Sequence, residues 1–340
     1  MSNYIDPEGR FDFMTPADWV HKNVILEAPE HAPIAFSLDP DPVGNFQLSC
    51  KPTSSPVVRR LMKIHNIKEC PDIEKEIPFK ELFIESNPFD TFTWFGSASE
   101  YFFMITFIHD SKTRKNPKVK KEIKKARACI KSIRIIPKNK RQSALAHRRL
   151  SKFMTALAAS IDLANRAVLA ESNLEYIVLL ANQIDALLRL AIILNRQIET
   201  GTEDIEVGLL YQGEKDKPIM EKQIYKRALD ETLIDQSIHS TLSNLYDERN
   251  KVVHRYIITD ITTKEVMKIA YDYGKIEETI SMLVSNLEKK QFEKKVGTYA
   301  DQNPVENIGA ETLTSLLSKL KEKHASSVIS QKITLIKDEK

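Results

Sequence analysis

Three residues near the end of the stretch Ile238 to Tyr256, IHSTLSNLYDERNKVVHRY, carry groups that can act on a phosphodiester. Arg249 is a permanent cation whose planar fork matches two phosphate oxygens. His254 can exchange a proton near neutral pH, and Asn250 can orient that imidazole or donate to a substrate. On a straight helix Asn250 and His254 are four residues apart and share a face, with Arg249 flanking it. Cleaving RNA through its own 2′-hydroxyl needs a proton acceptor, a proton donor and positive charge on the crowded phosphate. One copy of the motif offers a single proton shuttle, so two copies facing each other in a homodimer are expected. A position near a helix C-terminus favours the acid form of His254. The plainer account is a charged, solvated helix face, and the neighbouring cations Lys251 and Arg255 suit either.

A second polar group interrupts the apolar stretch Asn173 to Glu199, where Asn182, Asp185 and Arg189 form one stripe at i, i+3 and i+7. Buried polar groups are costly unless satisfied. Either Asp185 and Arg189 form an internal ion pair at a partly exposed edge, or Asp185 faces the 238–256 stretch and holds Arg249 or His254.

Other chemistry is missing. The chain has no GxxxxGK[ST] or GxGxxG phosphate loop, and no HExxH or GxSxG motif. His21, His31, His65 and His109 lack metal-ligand spacing, so neither a metal nor a cofactor is expected. Cys50, Cys70 and Cys129 are odd in number and form no CxxC pair, which argues against a zinc ribbon or disulfide framework. That usage, with no visible signal peptide, points to a cytoplasmic protein. The most apolar run, Tyr176 to Leu194, is broken by Asn182, Gln183, Asp185 and Arg189, so no membrane association is expected.

Charge is unevenly placed. Lys112 to Arg149 holds sixteen Lys or Arg residues against one acid, Glu122, a local excess of fifteen in a chain whose net charge is +3. A solvated helix face or linker is one reading of such a block; a polyanion-binding surface is the other. On the second reading Lys120, Lys121, Lys124, Lys125, Arg127, Lys131, Lys251 and Arg255 contact the RNA backbone, with no aromatic motif beside them to read bases.

The elements that must position these groups fall into two regions. The first 136 residues read as mixed α/β: FDFMTPADW around a strand and turn, short strands at Ile34–Leu38 and Asn45–Cys50, and a short helix over Pro56–Ile67. Strands at Thr91–Phe95 and Tyr101–His109 are joined by GSASE, somewhat long for a tight turn. YFFMITFIH reads as a central strand buried on both faces. A helix over Pro117–Ser132 carries the apolar stripe Val119, Ile123, Ala126, Ile130 and Ile133. Ile133–Ile136 reads as a last strand and PKNKRQ as an exposed linker. This order of elements, with the FDFMTPADW opening, resembles the PsbP-like α/β sandwich family, which implies an antiparallel sheet and no chemistry; Trp19 and Trp94 then belong to the core.

Beyond the linker the pattern is helical: Ser143–Ala170, Asn173–Glu199 with Ser172 as cap and Gly201 as stop, Met220–Leu229, the 238–256 stretch, and Lys264–Lys290. The loop Thr202–Pro218 is partly ordered by EVGLLY, and a short helix is expected over Ala310–Lys323. An arginine followed by a polar residue and then a histidine a helical turn later, R-N-x-x-x-H at Arg249 to His254, late in an all-helical region, resembles the HEPN superfamily. That resemblance implies metal-independent endoribonuclease activity at a site shared by two subunits. It also implies an acidic residue on an earlier helix, for which Asp185 is the candidate.

The expected architecture is an α+β two-domain chain: an antiparallel α/β sandwich over 1–137, a basic linker over 138–147, an all-α bundle over 148–291 and a tail over 292–340. The expected function is RNA cleavage by a homodimer, as a toxin or antiviral-defence effector, with Arg249, Asn250, His254 and Asp185 as the site. The competing expectation is a non-catalytic dimerisation module that binds RNA or protein. A protein partner for the N-terminal domain fits both.

Overall fold

The computed structural model describes residues 2–25, 32–38, 42–70, 76–302 and 319–320. They fall into two compact units, one within Met1–Arg148 and the other Arg149–Asn307. The first is built on antiparallel sheets and the second on helices, an α+β two-domain chain.

From its start the first unit forms β1 (Ser2–Ile5), β2 (Phe11–Thr15), β3 (Trp19–His21), the single turn α1 (Lys22–Ile25), β4 (Ile34–Leu38) and β5 (Asn45–Pro52). Then come α2 (Pro56–His65), β6 (Lys80–Ile84), β7 (Phe89–Ala98), β8 (Tyr101–Asp110), α3 (Pro117–Lys131) and β9 (Arg134–Ile135). One sheet has the order β1-β2-β9 and the other β3-β4-β5-β8-β7-β6. All these pairings are antiparallel. The core gathers Phe11, Phe13, Trp19, Phe46, Phe103 and Phe107 with Val119, Ile123, Ala126 and Ile130 of α3. The apolar stripe of α3 is therefore its buried face, and Trp19 and Trp94 are core residues, 4% and 3% exposed.

α3 starts on Asn116, whose side chain accepts from the Lys118 N–H, with Pro117 as first helical residue. Its flanks are pinned by two matching arrangements. Trp19 Nε1 donates to Glu122, and Lys125 Nζ lies 2.7 Å from Glu122 Oε1 and 2.5 Å from Asp18 Oδ2. Trp94 Nε1 donates to Glu81 at 2.7 Å, and Arg127 forks onto the same carboxylate at 2.5 and 2.9 Å. Each indole N–H is satisfied by an acid that an α3 cation neutralises.

The second unit holds α4 (Arg141–Leu169) from Arg149 onward, α5 (Asn173–Thr200), the single turn α6 (Val207–Leu210), α7 (Glu221–Asp230), α8 (Gln236–Arg255) and α9 (Thr263–Lys294). α5 is buried around most of its circumference, from Ile177 to Gln197. Its 18-residue window of mean hydropathy 2.0 is long enough to cross a bilayer by composition alone, yet 72% of it is buried inside the protein. α9 is its most extensive neighbour, with α6, α7 and α8 adding to the cover and α4 contributing Leu150 and Leu157. Gly201 stops α5 in the left-handed region at φ 68°, whereas Ser172 occupies the N-cap without a side-chain bond.

Several sequence expectations are corrected. The β7–β8 connection is tight: Ala98 pairs with Tyr101, leaving Ser99 and Glu100 as a two-residue turn, with Ser99 at φ 51°. β8 is fully buried along one face, while on the other only Phe102 is buried, packed with Phe95 and Val58. Tyr101, Phe103, Ile105, Phe107 and His109 point inward, while Met104 is 37% exposed and Thr106 and Ile108 are half-buried. The basic linker over 138–147 does not exist as such, because a 3₁₀ turn at Lys138–Lys140 leads straight into α4 at Arg141. α9 runs to Lys294, past the expected end of the bundle at residue 291. The helix expected over Ala310–Lys323 lies outside the described residues except for Lys319 and Leu320, which are helical.

Candidate functional site around Arg249

α8 starts on Asp235, whose side chain accepts from the Ile238 N–H at 2.8 Å. Leu242, Leu245 and Val252 are its buried residues. This phase points Arg249 toward α7 and leaves Val253, His254 and Arg255 in solvent. The Arg249 side chain is 14% exposed. Its Nη1 donates to Glu221 Oε1 at 2.7 Å, its Nη2 donates to Asn250 Oδ1 at 3.1 Å, and its guanidinium carbon lies 4.7 Å from the Tyr246 ring centroid. Burial is the largest single influence and works against its charge. The hydrogen bond to Glu221, the charge of Glu221 and the nearby Tyr273 and Tyr225 together outweigh it and hold the pKa above the ordinary value.

Glu221 is the first residue of α7, where the helix dipole favours a carboxylate. Its second oxygen, Oε2, accepts from the Tyr225 hydroxyl at 3.1 Å. Tyr273 of α9 sits behind this group, its hydroxyl donating to the Leu245 carbonyl at 2.9 Å. Burial pushes the pKa of both phenols upward.

Asp185 belongs to the same polar cluster without touching Arg249. Its Oδ2 accepts from Arg189 Nε at 2.7 Å. Arg189 also donates to the carbonyls of Leu209 at 3.2 Å and Ile219 at 2.9 Å, which ties α5 to the loop before α7. Asp185 Oδ1 is buried with no hydrogen-bond partner. Burial raises the carboxyl's pKa, Arg189 pulls it back, and the charge of Glu221 adds to the rise. The internal ion pair is thus the arrangement present, and the expectation that Asp185 holds Arg249 or His254 is corrected. Glu221 performs that task.

His254 stands in the last turn of α8, exposed, and no hydrogen bond or ion pair involves it among the described residues. Five residues at 3.6 per turn place it about 140° around the helix from Arg249. Lys251 and Arg255 are exposed as well. Immediately beyond, Tyr256, Ile257 and Ile258 are 47%, 94% and 78% exposed. A groove of about 430 Å³ between α8 and α9 is lined by Thr241, Glu248, Lys268, Asp272 and Lys275 among others, and by none of Arg249, Asn250 and His254. Within one chain, then, Arg249, Asn250 and Asp185 gather in one half-buried cluster and His254 stands apart.

No family model matches the chain. No curated protein matches it either. A crystal structure from Bacteroides thetaiotaomicron VPI-5482 at 1.50 Å resolution aligns over 54% of this chain and 76% of its own, at 13% identity and a TM-score of 0.30. That likeness carries no functional argument.

Of the backbone-binding candidates in the first unit, Lys120, Lys121, Lys124 and Lys131 are exposed, while Lys125 and Arg127 are engaged by Asp18, Glu122 and Glu81. Sequence reasoning missed Glu221, Tyr225 and Tyr246. The available signal was local: Glu221 and Tyr225 lie at i and i+4 on one helix, and Tyr246 lies three residues before Arg249.

Proposed function

We propose that the second unit is a HEPN-like, non-catalytic module that self-associates through the end of α8. The first unit is read as a PsbP-like sandwich. The observation that carries the proposal is the state of Arg249. A guanidinium 14% exposed and paired with Glu221 at 2.7 Å already has its charge answered, and His254 lies on another side of the helix. The exposed Tyr256, Ile257 and Ile258 supply the apolar surface for association. Light scattering on the purified protein should give a dimer, and Ile257→Asp with Ile258→Asp should give a monomer. RNA incubated with the protein in EDTA should stay intact.

A second reading keeps the endoribonuclease, as a toxin or defence effector. It is favoured by His254, exposed between Lys251 and Arg255 where a second copy can reach it. RNA fragments ending in 2′,3′-cyclic phosphate, lost in both Arg249→Ala and His254→Ala, would establish that reading and overturn the first.

A further inference from the structure

We infer that the outward face of α3 binds the phosphate backbone of a nucleic-acid duplex without reading its bases. The inference concerns the first unit and stands apart from the reading of α8. At about 100° per residue, Lys120, Lys121, Lys124 and Lys131 fall within an arc of roughly 100° on α3. That arc lies opposite the buried residues Val119, Glu122, Ile123, Ala126, Cys129 and Ile130. All four lysines are exposed, and the residue among them, Ala128, is small and exposed. No acid shares the face, because the one acid of the helix, Glu122, is 4% exposed and faces the core.

The cations at the borders of the arc behave differently. Lys125 is held by Asp18 and Glu122, and Arg127 by Glu81. Their charge is answered inside the protein, and they fix the helix on the sheet. A solvated face that served solubility alone would be expected to mix signs. Here the pairing of charges stops where the exposed arc begins.

The arrangement defines its occupant. Four ammonium groups spread over about 16 Å of helix axis present point charges to a repeating anion. α3 carries no aromatic side chain on which an unstacked base could rest, which favours a duplex over a single strand. No side chain on the face offers the paired donor and acceptor that base readout requires.

The test is a salt titration of the full-length protein on 20-base-pair RNA and DNA duplexes of unrelated sequence. The quadruple variant Lys120→Gln, Lys121→Gln, Lys124→Gln, Lys131→Gln alters exposed residues only. It should lower the slope of log affinity against log salt by about 3.6, the contribution of four phosphate contacts. Lys125→Gln with Arg127→Gln should leave the slope unchanged while lowering the melting temperature. An unchanged slope in the quadruple variant would overturn the inference. So would equal affinity for polyglutamate, or binding to phosphatidylserine vesicles without binding to either duplex. A single strand bound more tightly than the duplexes would overturn the choice of duplex.

Discussion

Arg249 shows how one partner decides what a side chain can do. Its fork is filled on one side by Glu221 and braced by Asn250 and Tyr246. Glu221→Gln leaves a mostly buried guanidinium beside a neutral amide and should cost about 1–3 kcal/mol in urea unfolding, whereas a surface pair would be worth far less. Asp185 gives a pH test. Its folded-state pKa is raised above the ordinary 3.8, so between the two values the native state binds a proton more tightly than the unfolded chain does. The stability this proton contributes is full below that ordinary value and is lost as pH rises through the raised one. Unfolding free energy of the parent minus that of Asp185→Asn should therefore fall with rising pH across that window; a difference that rises would show that Arg189 dominates the carboxyl. Arg249, Asn250, Asp185 and Arg189 were legible from type and spacing. Glu221 was not, because it meets Arg249 across 28 residues of chain, from one helix to the next, and no local period reports such a pairing.

Among the elements, α3 was read almost whole from its sequence because one period serves both of its faces: apolar positions recur every three or four residues and lysines fill the rest. What could not be read was that its single acid points inward. Glu122 accepts from the Trp19 indole and neutralises Lys125, so Glu122→Leu strands a buried N–H and a half-buried ammonium together. A loss of about 2–3 kcal/mol is expected from thermal or urea unfolding. Glu122→Gln, which still offers Trp19 an acceptor, should lose less. The β7–β8 turn was misjudged for a related reason. Gly96, Ser97 and Ala98 carry too little side chain to show alternation, and their strand character comes from pairing with Phe103, Phe102 and Tyr101 across the ladder. The basic run before α4 likewise looks like a solvated linker, although lysine and arginine are good helix formers and the helix begins at Arg141.

At the scale of the molecule, the division into a sheet-built unit and a helical one was legible because the hydrophobic period changes from mixed to helical along the chain. The units divide at Arg149, inside α4, while the extent of α9 and the uneven burial of the second face of β8 depend on packing that sequence does not display. One of these packings bears on how the protein is made. α5 is apolar around most of its surface, and its most extensive cover, α9, ends 94 residues further on, at Lys294. At translation rates of roughly 5–20 residues per second, synthesis of that cover trails α5 by about 5–20 seconds. During that interval the nascent chain carries a greasy cylinder with the composition of a membrane span, and an interrupted synthesis would leave it for chaperones or proteases to find.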